Sequence, residues 1–197
     1  FISVLAKGEH LGIMDRYELL VNCALLLFAG HETTVNLIGN GILAFIRNPE
    51  AWEKLRANPE LARRATEECL RFDPPVKSTQ RIATADVTIG DRTIRQGERL
   101  RWIIAAANRD PDVFPEPDQF RVDRHPNPHV SLGAGIHFCL GAALARVEGQ
   151  ELFRALAERV QSFRLETPEP EYQPSIQFRS LRELRVTLSN PPTMPAG

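Results

Sequence analysis

The stretch Gly133–Arg146, GAGIHFCLGAALAR, sets one cysteine between glycines just ahead of an alanine-rich run. Alanine and leucine are the strongest helix formers, so the run predicts a helix over about 140–160. Cys139 stands at its mouth. Free backbone N–H groups and the helix dipole favour an anion there, and the same effects favour a thiolate over a thiol. Gly133, Gly135 and Gly141 permit positive φ and let the backbone approach a flat or bulky partner. His137 adds a hydrogen-bond donor two residues away. These residues leave three readings open: a small buried hydrophobe, a thiolate ligand, or a nucleophile with His137 as its base. The third is weakened because residues two apart in a loop point in different directions. Zinc is a poor alternative, since no CxxC or second Cys/His pair stands at ligand spacing.

The rest of the chain bounds these readings. Its 197 residues are 43% hydrophobic and 25% charged, with 15 prolines, which describes a globular chain of one or two domains with a sizeable core. A net charge of −1 gives no basic field for nucleic acid or an anionic membrane. Cys23, Cys69 and Cys139 are odd in number and far apart, which fits reduced thiols in the cytoplasm. The richest apolar run, Cys23–Ala29, is too short to span a bilayer. The chain opens on Phe1 with no signal-peptide pattern, and the expectation is a piece of something longer.

Upstream, Leu19, Cys23, Leu26, Gly30, Thr33 and Leu37 recur at steps of three and four, which predicts one long helix over about 15–47. Asn48-Pro49 stops it, and helices follow at about 49–57 and 59–72. VKSTQRI, VTIG, RTI and RLRWII are short and β-branched between Gly/Asp turns, so they read as strands. Residues 108–129 carry five prolines and no period, a long irregular segment. Further strands are expected near 162–166, 175–178 and 184–188. Helices, a few strands, a loop, a helix and more strands make a mainly α, α+β fold.

Two positions break these patterns. In LLLFAGHETTVNLIG (25–39), Gly30 and Thr33 fall on the apolar stripe. Gly30 weakens the helix, and a threonine hydroxyl bonded four residues back bends it. Such a turn, with Glu32 beside it, holds a water or small ligand; equally, Gly30 marks a helix–helix crossing with Glu32 solvated. In the helix over 59–72, Leu61, Ala65, Glu68 and Phe72 share one face. Glu68 therefore occupies a core position, where a carboxylate needs a partner such as Arg71, three residues on.

Taken in order, AGHETT (29–34), ECLR (68–71) and LGAGIHFCLG (132–141) resemble three motifs of the cytochrome P450 family: the oxygen-binding helix, the Glu-x-x-Arg pair and the haem-thiolate signature. RIATADVTIG and AAANRDPDVF are also similar to soluble bacterial members. The resemblance covers essentially the whole chain. It implies the C-terminal part of that fold: a long kinked oxygen-binding helix, a small β-sheet region and a cysteine-ligand loop leading into a helix. Residues 1–197 would then be a single partial domain without its N-terminal part.

By that resemblance, Cys139 is the metal ligand of haem b, and a thiolate axial ligand favours O–O cleavage. His137 and Arg81 bond the propionates, with Gly133 and Gly141 beside the ring. Ala29 and Gly30 border the oxygen pocket, and Glu32 and Thr33 carry protons. Glu68, Arg71 and Arg124 form a structural network, while Val76–Thr79 and the tip near Phe178 line the substrate site. The implied reaction is O2 activation, with one oxygen atom inserted into a small organic substrate. Electrons come from a ferredoxin-type donor, for whose docking Arg63, Arg64 and Arg146 are candidates. A peroxide-driven enzyme and a truncated chain with little or no haem are the alternatives. Two positions depart from the family pattern: Leu132 stands where phenylalanine is usual, and Ser180 follows Arg179 where glycine is frequent.

Overall fold

The computed structural model describes residues 2–190. Helix α1 (Ile2–His10) leads into α2 (Arg16–Arg47), a helix of 32 residues. A capping box starts α2: Asp15 Oδ1 accepts from the Glu18 amide at 2.7 Å, and Glu18 Oε2 accepts from the Asp15 amide at 2.9 Å. Proline at the first position opens α3 (Pro49–Ala57), and a 3-10 turn over Pro59–Leu61 precedes α4 (Ala62–Phe72).

The strands make three two-stranded antiparallel sheets. Strands β1 (Thr79–Ile82) and β4 (Arg99–Trp102) pair with Arg81 opposite Leu100. Between them, β2 (Val87–Ile89) and β3 (Arg92–Ile94) form a hairpin whose turn needs Gly90 at φ 61°. Strands β5 (Ser162–Leu165) and β6 (Val186–Ser189) pair near the end of the chain. Helix α5 (Ile104–Ala107) follows β4, and α6 (Ala142–Arg159) follows the cysteine loop.

The core lies where the second half of α2 meets α3, α4 and α6. Phe45 sits at its centre, edge-on to Trp52, Phe120 and Phe153 with ring centroids 5.2–5.5 Å apart. Gly41 makes the crossing possible, because a Cβ there would come within 2.5 Å of Phe153 Cζ and 3.1 Å of Cys69 Sγ. The close helix contact thus falls at Gly41. Gly30 is exposed, with nothing within 4 Å of a Cβ built on it. The apolar stripe of α2 is buried at Leu19 and Leu37, but Leu20, Val21, Leu25, Leu27 and Phe28 on its other faces are exposed.

Three local expectations change. The strand expected near 175–178 is a turn, in which Ser175 Oγ accepts from the amides of Gln177 and Phe178, leaving one bridge between Val76 and Phe178. The strand RLRWII ends at Trp102, because Ile104 already begins α5. Helix α6 starts at Ala142, so Cys139 lies three residues ahead of it. Among the described residues, no helix is long and apolar enough to cross a membrane.

Candidate functional site

A cavity of about 230 Å³ lies between α2 and the cysteine loop. Thr33, Thr34 and Leu37 form its α2 wall, and Leu132, Gly133, His137 and Cys139 form the opposite one. Arg81, Val76 and Thr79 contribute from the β1 region. Residues more than a hundred positions apart in sequence therefore share one small chamber.

The cysteine loop is shaped by backbone bonds. The Cys139 amide donates to the Leu132 carbonyl at 2.9 Å, and the Ala142 amide donates to the Cys139 carbonyl at 3.2 Å. Gly133 adopts φ 73°, and a Cβ there would meet the His137 carbonyl at 3.3 Å, so the loop's tight return requires glycine. Gly135 is also left-handed, at φ 63°. Gly141, expected to use the same freedom, sits at φ −87° as the residue capping α6, where most residues fit. The loop turns apolar side chains outward: Ile136, Phe138 and Leu140 are 98%, 52% and 76% exposed. Contiguous exposed apolar groups of this kind mark a surface that something else covers.

Behind the loop, Asn108 is fully buried. Its carbonyl oxygen accepts from the Val130 amide at 2.9 Å, and its Nδ2 donates to Ser131 Oγ at 2.7 Å, which fixes the strand-like approach to Leu132. Deeper still lies Glu68, wholly buried. It accepts from Arg71 Nε and Nη2 at 2.8 Å each, from Arg124 Nε at 3.1 Å, from the Arg121 amide at 2.8 Å and from Asn127 Nδ2 at 3.2 Å. Arg71 turns its remaining donors to the carbonyls of Asn108, Pro117 and Gln119. The network clamps the irregular segment to α4, which is how 108–129 stays ordered without secondary structure.

Next to it, Glu67 accepts from Arg146 Nε at 2.7 Å and faces His129 Nε2 at 3.0 Å. Burial alone would raise its pKa, but the bonds from His129 and Arg146 bring it down to about 2. Arg146, a candidate for partner docking, is thereby tied to Glu67, whereas Arg63 and Arg64 remain exposed. All three line a second, larger cleft of about 810 Å³ beside α6.

Of the oxygen-side residues, Thr33 alone borders the cavity; Ala29, Gly30 and Glu32 do not, and neither does Gly141. The Thr33 hydroxyl donates to the Ala29 carbonyl at 2.7 Å, the back-bond expected of a threonine inside a helix. Glu32 faces away along α2, toward Ser180 and Asn36. Phe178 lies off the cavity, edge-on to Phe28 at 5.8 Å. Cys69, buried in the core, is poorly suited to chemistry. Burial pushes the Cys69 thiol well up, and the Glu68 and Asp73 carboxylates add to the effect. Among the described residues, no group of three or more His, Cys, Asp or Glu could hold a metal ion.

Sequence reasoning missed Asn36, Asn108 and Asn127, and singled out Ser180 only as a departure from the family pattern. Asn36 and Asn40 follow Glu32 at steps of four, and that polar ladder on a buried face was the available signal.

Residues 1–194 match the family model described as Cytochrome P450. A biotin biosynthesis cytochrome P450 of Bacillus subtilis is 47% identical over 186 residues, covering 94% of this chain and 47% of the relative. A vitamin D(3) 25-hydroxylase of Pseudonocardia autotrophica is 44% identical over 190 residues, covering 94% of this chain and 47% of the relative. Among solved structures, the tirandamycin C-bound P450 monooxygenase TamI superposes with a TM-score of 0.91 at 38% identity, covering 95% of this chain and 48% of the other. The chain spans about half the length of the curated relatives it matches.

Proposed function

The chain belongs to the cytochrome P450 family, and on that premise we propose that it forms the haem-binding portion of a haem-thiolate monooxygenase acting on a small organic substrate. One observation carries the reading: Thr33 on α2 and Cys139 on the glycine loop, 106 positions apart in sequence, line a single cavity. The residues present fit haem b. One soft thiol faces a largely apolar chamber, a glycine return keeps the backbone low, and apolar side chains flank the loop. When bound, the haem supplies reductive activation of O2.

The protein's own residues have distinct tasks. Cys139 holds the iron as a thiolate. His137 and Arg81 reach the chamber from two separate elements and bond the propionates, a charge-assisted contact for the arginine. Gly133 keeps the loop close, and Gly141 opens the helix that carries it onward. Thr33 commits its proton to Ala29, which leaves its lone pairs free to accept from a water in the cavity. Glu32 supplies protons to that water, with Ala29 and Gly30 leaving space beside it. Glu68, Arg71 and Arg124 hold the scaffold behind the loop, and Val76 and Thr79 meet the substrate.

Electrons come from a ferredoxin-type partner. Arg63 and Arg64 are exposed on the cleft beside α6, and an acidic protein would complement them. The same reading takes residues 1–197 as the C-terminal portion of such an enzyme in the cytoplasm. The exposed Leu20, Val21, Leu25, Leu27 and Phe28 on α2 support it, since helices covering the haem would bury them.

The test uses the intact enzyme reduced under carbon monoxide. The parent gives the red-shifted Soret band of a thiolate-ligated haem. Cys139→Ser loses it, and persistence of the band in that variant rejects Cys139 as the ligand. Thr33→Ala keeps the band but releases most reducing equivalents without product.

A further inference from the structure

Three side chains on successive turns of α2, Glu32, Asn36 and Asn40, face the segment at Arg179 and Ser180. That segment is held from several sides. The Asn40 amide donates to the Arg179 carbonyl at 2.9 Å, Arg179 Nε pairs with Asp73 Oδ1 at 3.0 Å, and the Arg179 guanidinium lies 3.7 Å over the Tyr172 ring. The Ser180 position is therefore fixed, and the residue is 4% exposed. Asn36 Nδ2 donates to Ser180 Oγ at 2.8 Å, which occupies one lone pair of the hydroxyl. A serine has one O–H, and the acceptor in front of it is Glu32 Oε1 at 3.3 Å. Asn36 Nδ2 itself lies 3.5 Å from the same carboxylate oxygen.

We propose that Ser180 is a positioning residue for Glu32, its hydroxyl oriented by Asn36 so that it holds the carboxylate beside α2 and off the cavity wall that Thr33 occupies. The proposal rests on the haem-thiolate reading above, in which Glu32 supplies protons. Both bonds to the carboxylate are long, so the contact holds Glu32 between proton deliveries without locking it. Thr33 borders the chamber and Glu32 does not, so the acid must swing to serve it. A defined resting place sets where each swing begins. Without the hydroxyl, the carboxylate samples orientations from which protons arrive out of step with electrons.

The experiment uses the intact holoenzyme with its reductant. Ser180→Ala and Ser180→Gly keep the carbon monoxide band and the substrate KM, while product formed per electron pair falls by about fivefold. The solvent deuterium isotope effect on turnover rises. Ser180→Thr, which keeps the hydroxyl, restores both. Adding Ser180→Ala to Glu32→Gln costs nothing beyond Glu32→Gln alone, and thermal midpoints of the same four proteins are likewise non-additive. If Glu32→Gln uncouples turnover and both Ser180 variants do not, the Ser180 proposal is overturned and the relay stands. If Glu32→Gln itself leaves coupling unchanged, the relay reading fails and takes this proposal with it. Loss of the carbon monoxide band in both Ser180 variants also overturns it, because Ser180 would then be structural.

Discussion

Glu68 and Cys139 are each the centre of a polar cluster, yet the two regions are built on opposite terms. Around Glu68 both carboxylate oxygens are taken: two arginines, a backbone amide and an asparagine converge on them, and Arg71 is 0% exposed, with Asn127 Oδ1 the one buried side-chain acceptor of the group left unpaired. Around the cavity commitment is uneven: Arg81 and Ser131 are bonded to their neighbours, whereas Cys139, His137 and Thr33 carry few side-chain bonds or none. Cys139 is held through the backbone bonds of its loop, and the Thr33 hydroxyl makes one local bond, to the Ala29 carbonyl. A saturated cluster stabilises and has nothing left to offer a ligand. An unsaturated one contributes little to stability and keeps its donors and acceptors for something absent from the polypeptide.

The sharpest way to break this contrast is at the saturated end. Glu68→Ala strands Arg71 and Arg124 as buried cations, so a loss of about 3–5 kcal/mol is expected in denaturant unfolding, with most of the protein insoluble. A variant that unfolds within about 1 kcal/mol of the parent would show that the cluster is not structural. Next in size is Gly41→Ala. The added methyl meets Phe153 Cζ at 2.5 Å, and either ring or helix must shift. Overpacking of this kind costs about 1–3 kcal/mol, read in the same unfolding experiment. The matched control, Gly30→Ala, meets nothing within 4 Å and gains helix propensity, so its change should be zero or slightly stabilising.

How much of this was legible in the sequence follows the same division. Glu68 was readable because it sits in an apolar stripe at helical spacing, and a buried carboxylate requires a cation; Arg71 is one turn away. Cys139 was readable because glycines and a histidine around one thiol are an unusual local composition. Periodicity gave α2 and its ends correctly, since Asp15 and Pro49 carry their own capping chemistry. What could not be read were contacts between distant segments. Gly41 and Gly30 look alike in sequence, and only the position of Phe153 on α6 makes one the crossing point. Glu32 and Thr33 are adjacent, yet one borders the cavity and the other turns to Ser180, 148 residues away, a difference set by a loop with no periodic signal.

Between the two extremes stands Glu67, part of neither cluster, which joins Arg146 on α6 to His129 in the irregular segment. Its pKa is about 2 in the folded chain against an ordinary 4.5. A depressed carboxylate stabilises the fold fully above its unfolded pKa and loses that contribution as pH falls toward the folded value. The window is therefore from about pH 4.5 down to about 2. Because the side chain is 23% exposed, solvent screening reduces the effect to about 1 kcal/mol. Glu67→Gln should flatten the acid limb of the unfolding free energy within that window and leave stability at pH 7 lower by the same amount. An unchanged acid limb would mean that Arg146 and His129 do not hold the carboxylate in solution.

A small expected loss of stability, at His137, is the most informative about the open end. His137 is exposed, and its ring has no hydrogen-bond partner among the described residues. Only backbone atoms of that residue support the loop, through contact of its carbonyl with the Gly133 turn. His137→Ala should thus move the unfolding free energy of the haem-free protein by no more than about 0.5 kcal/mol. If the ring bonds a propionate, the same change weakens haem retention by about tenfold, measured as transfer to apomyoglobin, because a bonded group worth one to two kcal/mol is lost from the complex alone. Stability and retention then respond to one substitution by very different amounts, as they should where a side chain is kept for a ligand. A large stability loss with unchanged retention would reverse the assignment, placing His137 with Glu68 among the groups that hold the polypeptide to itself.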